Sequence, residues 1–140
     1  MQGTVIGAVL PQKLTAQNTD EVKAQLYMAK DMGVNLALAP GLDTAALAIN
    51  EGFDVMADWG MNVKNSAALA WLANLGIKSA AVSFELEFEQ IEKLSSPIPL
   101  EMTVYGRLPL AVTAKSLKTE QTTGIWDRKR GLHPLIQEGE

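Results

Sequence analysis

Four polar side chains follow directly or closely after apolar runs of the sequence and are the best placed to do chemistry. They are Asp58, Asn62, Glu85 and Arg107. Carboxylates can serve as acids or bases, an amide can hydrogen-bond a backbone group, and a guanidinium binds carboxylates or phosphates in a planar fork. Since ligands of parallel α/β folds bind at the carboxyl ends of the strands, these residues form a candidate ligand-binding rim. Their pattern does not single out a catalytic residue.

Each of the four residues also has a purely structural explanation. Asp58 and Asn62 can hydrogen-bond the backbone of the turn in which they lie, as Asp and Asn commonly do. Glu85 and Arg107 end consecutive predicted strands, and consecutive parallel strands usually lie side by side. We therefore expect them to be neighbours and to form a charge-assisted ion pair. The sequence leaves open whether the partner of Arg107 is Glu85 or a ligand.

Composition excludes several kinds of site. The 140-residue chain has no cysteine, so it cannot form disulfides or supply thiol nucleophiles or cysteine ligands for zinc or iron–sulfur clusters. Its single histidine, His133, excludes a metal site made of several histidines from one chain. We accordingly predict no metal and no cofactor.

Charge is unevenly distributed along the chain. The formal net charge of −4 argues against a dedicated nucleic-acid binder. All three arginines nevertheless lie in residues 101–140, and arginine is suited to recognising carboxylates and phosphates. If the protein has an anionic partner, either a small molecule or RNA, we expect it to bind near this end.

No apolar run is long enough to span a membrane, and the N-terminus lacks the charged and apolar regions of a secretion signal. With 47% hydrophobic residues, the chain has enough apolar material for a buried core. We predict a cytoplasmic globular protein with no membrane partner.

A repeated pattern dominates residues 33–94. At Gly33, Gly52 and Gly76, a glycine suited to end a helix precedes an apolar run, which is followed by a turn and a helical stretch. Because the runs are apolar on both faces, they predict parallel strands that are buried on both sides. The predicted strands are Thr4–Leu10, Val34–Ala39, Phe53–Ala57, Ile77–Phe84 and Pro99–Tyr105.

Capping residues mark the starts of the intervening helices. Asn18, with Glu21 three residues later, predicts a capping box. Either Asp43 or Thr44 can cap a second helix. The other two predicted helices are Ala67–Leu75, capped by Asn65 or Ser66 and apolar enough to be buried almost all round, and Glu87–Leu94.

Alternation of strands and helices predicts an α/β fold with a parallel sheet and right-handed crossovers. Five strands are too few for a closed eight-stranded barrel, so we predict a partial TIM-barrel-like domain over residues 1–114. Residues 115–140 are predicted to form an irregular C-terminal tail. The first strand and the last one, either Pro99–Tyr105 or the run Leu108–Thr113, should be open edges that pair with another chain, in a homo-oligomer or with the missing half of a barrel.

Four short segments resemble the peptidase U32 family. In chain order, Asp58–Ser66, Ser83–Leu86 and Tyr105–Leu110 resemble its D-x-x-x-N-x-x-N-S, S-x-E-L and G-R-x-P-L-M motifs. Residues Ile125–Leu135 are similar to its later L-x-D-R-K-G-x-x-F-P-L segment. The resemblance covers nearly the whole chain and implies a TIM-barrel-like domain that begins well inside the barrel.

The resemblance also implies a function, that of a protease or other hydrolase. Relatives in this family act in the hydroxylation of RNA or of ubiquinone precursors, often with a four-cysteine iron–sulfur cluster. This sequence departs from that pattern: Ser116 stands where the first cluster cysteine would follow, residues 117–124 contain no cysteine, and Ala111 replaces a methionine. The alternative is a non-catalytic binding or scaffold module, or a partner subunit of a larger barrel.

Overall fold

A computed structural model describes residues 5–106, 124–126, 128–129 and 131–134. Within residues 5–106, five strands alternate with four α-helices and one short 3₁₀ helix. In chain order these are β1 (Gly7–Val9), α1 (Thr19–Asp31), β2 (Leu36–Ala39), α2 (Leu42–Asn50), β3 (Asp54–Ala57), the 3₁₀ helix (Trp59–Met61), α3 (Ser66–Asn74), β4 (Ser79–Ala81), α4 (Phe88–Ile91) and β5 (Leu100–Glu101). The predicted α/β fold is confirmed.

The five strands form one parallel sheet in the order β1-β2-β3-β4-β5. An order that never reverses is the order of strands in a β/α barrel, whereas doubly wound sheets reverse at a switch point. Right-handed crossovers between successive strands place every helix on the same face of such a sheet. β1 and β5 lie at its two ends among the described residues, and their prediction as open edges that pair with another chain stays a prediction.

Small residues of the strands pack against large residues of the helices on that face. Ala37, Val55 and Ala80 are each 0% exposed and belong to the same core cluster as Leu26 of α1 and Leu69 of α3. Alanine in the strands lets the helices approach the sheet closely, and leucine in the helices fills the space between them. This packing holds the carboxyl ends of the strands in a fixed row.

The opposite face of the sheet is only partly covered, so the prediction that the strands are buried on both sides is wrong for β1, β2 and β3, whereas Ser79 and Ala80, on opposite faces of β4, are both buried. Val9, Leu38 and Met56 lie side by side in register on this face. Val9 is 75% exposed, and the other two are partly exposed. The physical reason is the sequential strand order, which leaves no described helix for this side of the sheet.

Glycine ends each of the first three helices as predicted. Gly33, Gly52 and Gly76 have φ values of +83°, +78° and +91°, in the left-handed region that favours glycine. After α1, the amide of Val34 donates a hydrogen bond of 3.0 Å to the carbonyl of Ala29, which closes the helix before β2 begins. The three repeats therefore share the same turn from helix to strand.

Only one of the three predicted helix caps forms as expected. The side chain of Asn65 accepts a hydrogen bond of 2.8 Å from the amide of Ala68 and caps α3. Asn18 precedes α1 but makes no capping bond; its side-chain oxygen instead accepts from the amide of Thr15 at 2.7 Å. The predicted capping box is therefore wrong, because the side-chain oxygen of Asn18 accepts its hydrogen bond from Thr15 in the preceding turn and not from an amide of α1.

The helix α2 also begins differently from the prediction. It starts at Leu42 and its N-cap is Gly41, so the expected cap at Asp43 or Thr44 is wrong. Thr44 is fully buried; its hydroxyl accepts from the amide of Gly41 at 3.2 Å and donates to the Gly41 carbonyl at 2.9 Å. Asp43 accepts from the amide of Leu14 at 2.9 Å and ties the start of α2 to the segment after β1.

Replacing Asn65 with alanine should destabilise the domain by about 1 kcal/mol, because the amide of Ala68 then loses its acceptor. Asn65→Asp keeps an acceptor at this position and should restore most of the stability. Urea unfolding followed by circular dichroism measures both variants. Equal midpoints for Asn65→Ala and the unaltered protein would contradict the capping role.

The chain divides into two compact units, Met1–Gly106 and Arg107–Glu140. In the second unit, β6 (Gly124–Trp126) pairs with β7 (Leu132–Pro134) in an antiparallel arrangement that the sequence analysis did not predict. The predicted domain boundary after residue 114 lies outside the described residues and stays a prediction. No helix in the described ranges has the length and apolar content needed to cross a membrane.

Candidate functional site

Two loops meet at the carboxyl ends of β3 and β4. We call them the β3–α3 loop (residues 58–65) and the β4–α4 loop (residues 82–87). Val63 and Val82 form an isolated parallel bridge, and the amide of Ser83 donates a hydrogen bond of 2.8 Å to the carbonyl of Val63. Both valines are 2% exposed. The parallel pairing thus continues for one residue pair beyond β3 and β4, and this pair holds the two loops together.

An ion pair joins the same two loops. The ammonium of Lys64 contacts the carboxylate of Glu85, and their side chains are 39% and 58% exposed. At that exposure, solvent screens the attraction, so the pair contributes only about 0–1 kcal/mol to stability. The two charges are therefore available to a ligand at little cost to the fold.

Lys64 is the cation that the sequence analysis missed as a partner for Glu85. The expected partner, Arg107, lies outside the described residues, and the Glu85–Arg107 pair stays a prediction. Lys64 could have been identified as a candidate, since it is two residues after Asn62 in the loop that follows β3 and precedes α3. The sequence could not show that Val63 extends the sheet and brings Lys64 beside Glu85.

Asp58 has a structural role in this loop. Its side chain accepts a hydrogen bond of 2.8 Å from the amide of Trp59 and caps the 3₁₀ helix. The carboxylate is partly exposed, so its remaining lone pairs can reach solvent or a ligand. Of the two explanations given by the sequence, the structural one therefore has direct support for Asp58.

Asn62 differs from Asp58. It follows the 3₁₀ helix in a left-handed conformation, with φ 50° and ψ 49°, which asparagine tolerates better than most residues. Its side chain is exposed and makes no hydrogen bond to any residue in the described ranges. Asn62 lies two residues before Lys64 in the same loop, and its role in ligand binding stays a prediction.

Two aromatic rings complete the contact between the loops. Trp59 and Phe84 have ring centroids 6.0 Å apart and are tilted by 45°, a favourable geometry for an aromatic pair. Phe84 is 46% exposed. Each ring is next to a predicted rim residue in sequence, Asp58 or Glu85, but only the fold shows that the rings meet.

An apolar cavity of about 290 Å³ lies beside the β3–α3 loop. Its walls come from the start of α2, from the 3₁₀ helix and from α3. They are formed by Pro40, Gly41, Leu42, Gly60, Met61, Val63, Ala68, Trp71 and Leu72. Gly60 lets the 3₁₀ helix approach the chain closely, because a Cβ there would lie 2.6 Å from the carbonyl oxygen of Pro40.

A sequence model described as Peptidase family U32 matches residues 7–125, which is most of the chain and includes both loops. The chain belongs to peptidase family U32. No curated protein and no solved structure matches it significantly. The resemblance predicted from the motifs is thereby confirmed at the level of the family.

In this U32 domain, several motif residues stabilise the fold. Asn65 caps α3, and the hydroxyl of Ser66 accepts a hydrogen bond of 2.9 Å from the amide of Ser95, ahead of β5. Ser83 is 2% exposed and accepts from the amide of Glu85 at 3.2 Å. Asn62 and Glu85 are exposed motif residues of these loops that neither cap a helix nor bond to the backbone of a neighbouring element through their side chains.

The donor set of this U32 domain does not fit a four-cysteine iron–sulfur cluster, because the chain has no cysteine. Among the described residues, no group of three or more His, Asp or Glu side chains is close enough to hold a metal ion. Ser116, the residue at the expected first cysteine position, lies outside them.

Proposed function

We propose that this U32 domain hydrolyses a polypeptide bound across the β3–α3 and β4–α4 loops. The observation that carries the proposal is the solvent-accessible Lys64–Glu85 pair at the carboxyl end of the sheet. A carboxylate beside an ammonium provides both a base for water and a cation for a developing oxyanion. The family match supports a protease-like activity.

The proposed reaction is the addition of water to a peptide carbonyl. The carboxylate of Glu85 accepts a proton from water while the water oxygen bonds to the carbonyl carbon. The ammonium of Lys64 donates a hydrogen bond to the oxygen that becomes negative. The C–N bond then breaks as the proton held by Glu85 passes to the leaving amine, which regenerates the carboxylate.

Asn62 would bind the substrate backbone in this scheme. Its exposed amide has one acceptor and two donor positions, which match the carbonyl and amide groups of an extended polypeptide. Asp58 acts as a positioning residue, because it caps the 3₁₀ helix that leads into Asn62. Neither role requires a group outside the first compact unit of the chain.

Incubation of the purified protein with gelatin and with casein tests the proposal. We expect new polypeptide N-termini to accumulate in proportion to protein concentration, as measured by amine labelling and mass spectrometry. Intact substrates after prolonged incubation, with the protein shown to be folded by circular dichroism, would overturn it.

A non-catalytic binding module for an anionic ligand is the second candidate. It is favoured by the exposed ammonium of Lys64 next to Glu85 and by the three arginines in residues 101–140. Titration with a phosphate-bearing RNA oligonucleotide and with a dicarboxylate distinguishes the two functions. Saturable binding that Lys64→Met abolishes, in a protein that cleaves no polypeptide, would favour the module. A cytoplasmic location remains part of either proposal.

A second copy of the chain is the partner we propose for the β1 edge. Residues 5–10 contain no charge and no proline, and Val5, Ile6 and Val9 are 78%, 67% and 75% exposed. Natural sheet edges are usually protected by charge or proline, as β5 is by Pro99 and Glu101. Because β1 is the unprotected end of the five-stranded sheet as the described residues show it, it would pair with itself in an antiparallel two-fold arrangement.

Ile6→Lys should convert such a dimer to a monomer, because it places a charge on the edge of each copy, and charged side chains block edge-to-edge pairing. Val104→Lys is the matched control, since Val104 is 82% exposed and follows β5 at the other end of the sheet order. Analytical ultracentrifugation over a range of concentrations measures the association. A monomer at every concentration, or equal effects of the two variants, would contradict the pairing.

A further inference from the structure

We infer that the apolar cavity beside the β3–α3 loop is a subsite for a large aliphatic or aromatic side chain of a polypeptide. The inference rests on the proposed function, because it assigns the cavity to the same substrate. It concerns the space between α2, the 3₁₀ helix and α3, which none of the rim residues lines.

The cavity has the chemistry and the size for such a side chain. Its side-chain walls are Pro40, Leu42, Met61, Val63, Ala68, Trp71 and Leu72, and none of these is charged. An apolar cavity of about 150 Å³ is already large enough to hold benzene. At about 290 Å³, this cavity accepts an isobutyl or benzyl group and leaves room for it to enter.

Two large apolar side chains that line the cavity are exposed. The sequence predicts that α3 is buried almost all round, yet Trp71, which lines the cavity from this helix, is 49% exposed. Leu42, at the start of α2, is 50% exposed and faces the same cavity. Large apolar side chains around a concave site are typical of ligand pockets, which bury most of the ligand surface.

The position of the cavity connects it to the proposed reaction. Met61 and Val63 line the cavity, and Asn62 lies between them in the chain. Val63 is buried while Lys64 is exposed, so adjacent residues of one extended stretch serve the cavity and the ion pair. We assign both features to one polypeptide, whose backbone crosses the loop beside Lys64 and Glu85 and one of whose side chains enters the cavity.

Filling the cavity tests the inference. Ala68 lines it from α3, and Ala70 is exposed on the same helix and is absent from its walls, so Ala68→Leu and Ala70→Leu form a matched pair. The probes are N-acetyl-phenylalaninamide, N-acetyl-leucinamide and N-acetyl-glycinamide, with binding followed by NMR titration. Ala68→Leu should weaken binding of the first two probes by roughly tenfold or more, the scale on which hydrophobic pockets discriminate. Ala70→Leu should leave binding unchanged.

A second variant keeps the test decisive if Ala68→Leu fails to fold. Trp71→Ala removes one wall and should erase the preference for the phenylalanine probe over the glycine probe. Equal binding of all three probes to the unaltered protein, or unchanged binding after both substitutions, would overturn the subsite.

The outcomes separate the subsite from the proposed function. If the probes discriminate but no polypeptide is cleaved, the subsite stands and the hydrolase proposal fails. If polypeptides are cleaved without preference for a large apolar residue near the cut bond, the hydrolase proposal stands and the subsite fails.

Discussion

Glu85→Gln should lower the kcat of polypeptide hydrolysis by roughly 10²- to 10⁴-fold, the usual contribution of a general base. Glutamine has nearly the same shape as glutamate but cannot accept a proton from water. Substrate binding should change little, because Asn62 and Lys64 remain. Steady-state cleavage of a fluorogenic peptide identified from the casein digest measures both kcat and KM.

The matched control is Glu92→Gln, which removes another exposed carboxylate just after α4. Its kcat should equal that of the unaltered protein. The Lys64–Glu85 pair is exposed and contributes about 0–1 kcal/mol, so Glu85→Gln should unfold at nearly the same urea concentration. A kcat within twofold of the unaltered value in a folded Glu85→Gln variant would exclude Glu85 as the base.

Leu69→Ala should destabilise the domain by about 2–5 kcal/mol, the range observed when a buried leucine leaves a cavity. Leu69 is 0% exposed and belongs to the cluster that packs α3 against the sheet. Domains of this kind are stable by about 5–15 kcal/mol, so a single substitution would remove a large share of the total. Urea unfolding at a fixed protein concentration measures the change.

Leu75→Ala is the control of the same type, because Leu75 is 43% exposed and follows the last turn of α3. It deletes the same atoms from a site that water already reaches. The free energy of unfolding should therefore fall by well under half the amount lost in Leu69→Ala. Similar losses for the two variants would mean that α3 does not pack on the sheet through Leu69.

Local patterns in the sequence determined the order and type of the elements. The glycines at positions 33, 52 and 76 mark turns whose left-handed backbone depends on the residue itself and on its nearest neighbours. Asn65 caps α3 for the same local reason. The U32 motifs are short and contiguous, so the family could also be identified without the fold.

Competition between neighbouring groups could not be predicted from these patterns. Asn18 has the right type and spacing for a capping box, but Thr15 takes its side-chain oxygen. The N-cap of α2 is Gly41, and neither Asp43 nor Thr44 occupies that position. The hydroxyl of Thr44 accepts a hydrogen bond from the amide of Gly41, and the carboxylate of Asp43 accepts one from the amide of Leu14. In both cases the side chain that could cap the helix hydrogen-bonds a different backbone group instead.

The candidate site was predictable in its residue types but not in its contacts. The sequence placed Asp58, Asn62 and Glu85 at strand ends, because ligand sites of parallel sheets follow from topology. Only the tertiary structure brought Lys64 to Glu85 and Trp59 to Phe84, since these contacts join loops about 20 residues apart. They depend on the Val63–Val82 bridge, which no local pattern encodes.

Burial, finally, was decided by the tertiary structure. Apolar strands and an apolar α3 predict elements that are covered on all sides. Hydrophobicity, however, shows only that burial of a side chain is favourable, and not whether another element covers it. The sequential strand order puts the helices on one face of the sheet. On the other face it leaves Val9 exposed and Met56 partly exposed. It also leaves Trp71 beside an open cavity, because a side chain can be buried only where another element is available to cover it.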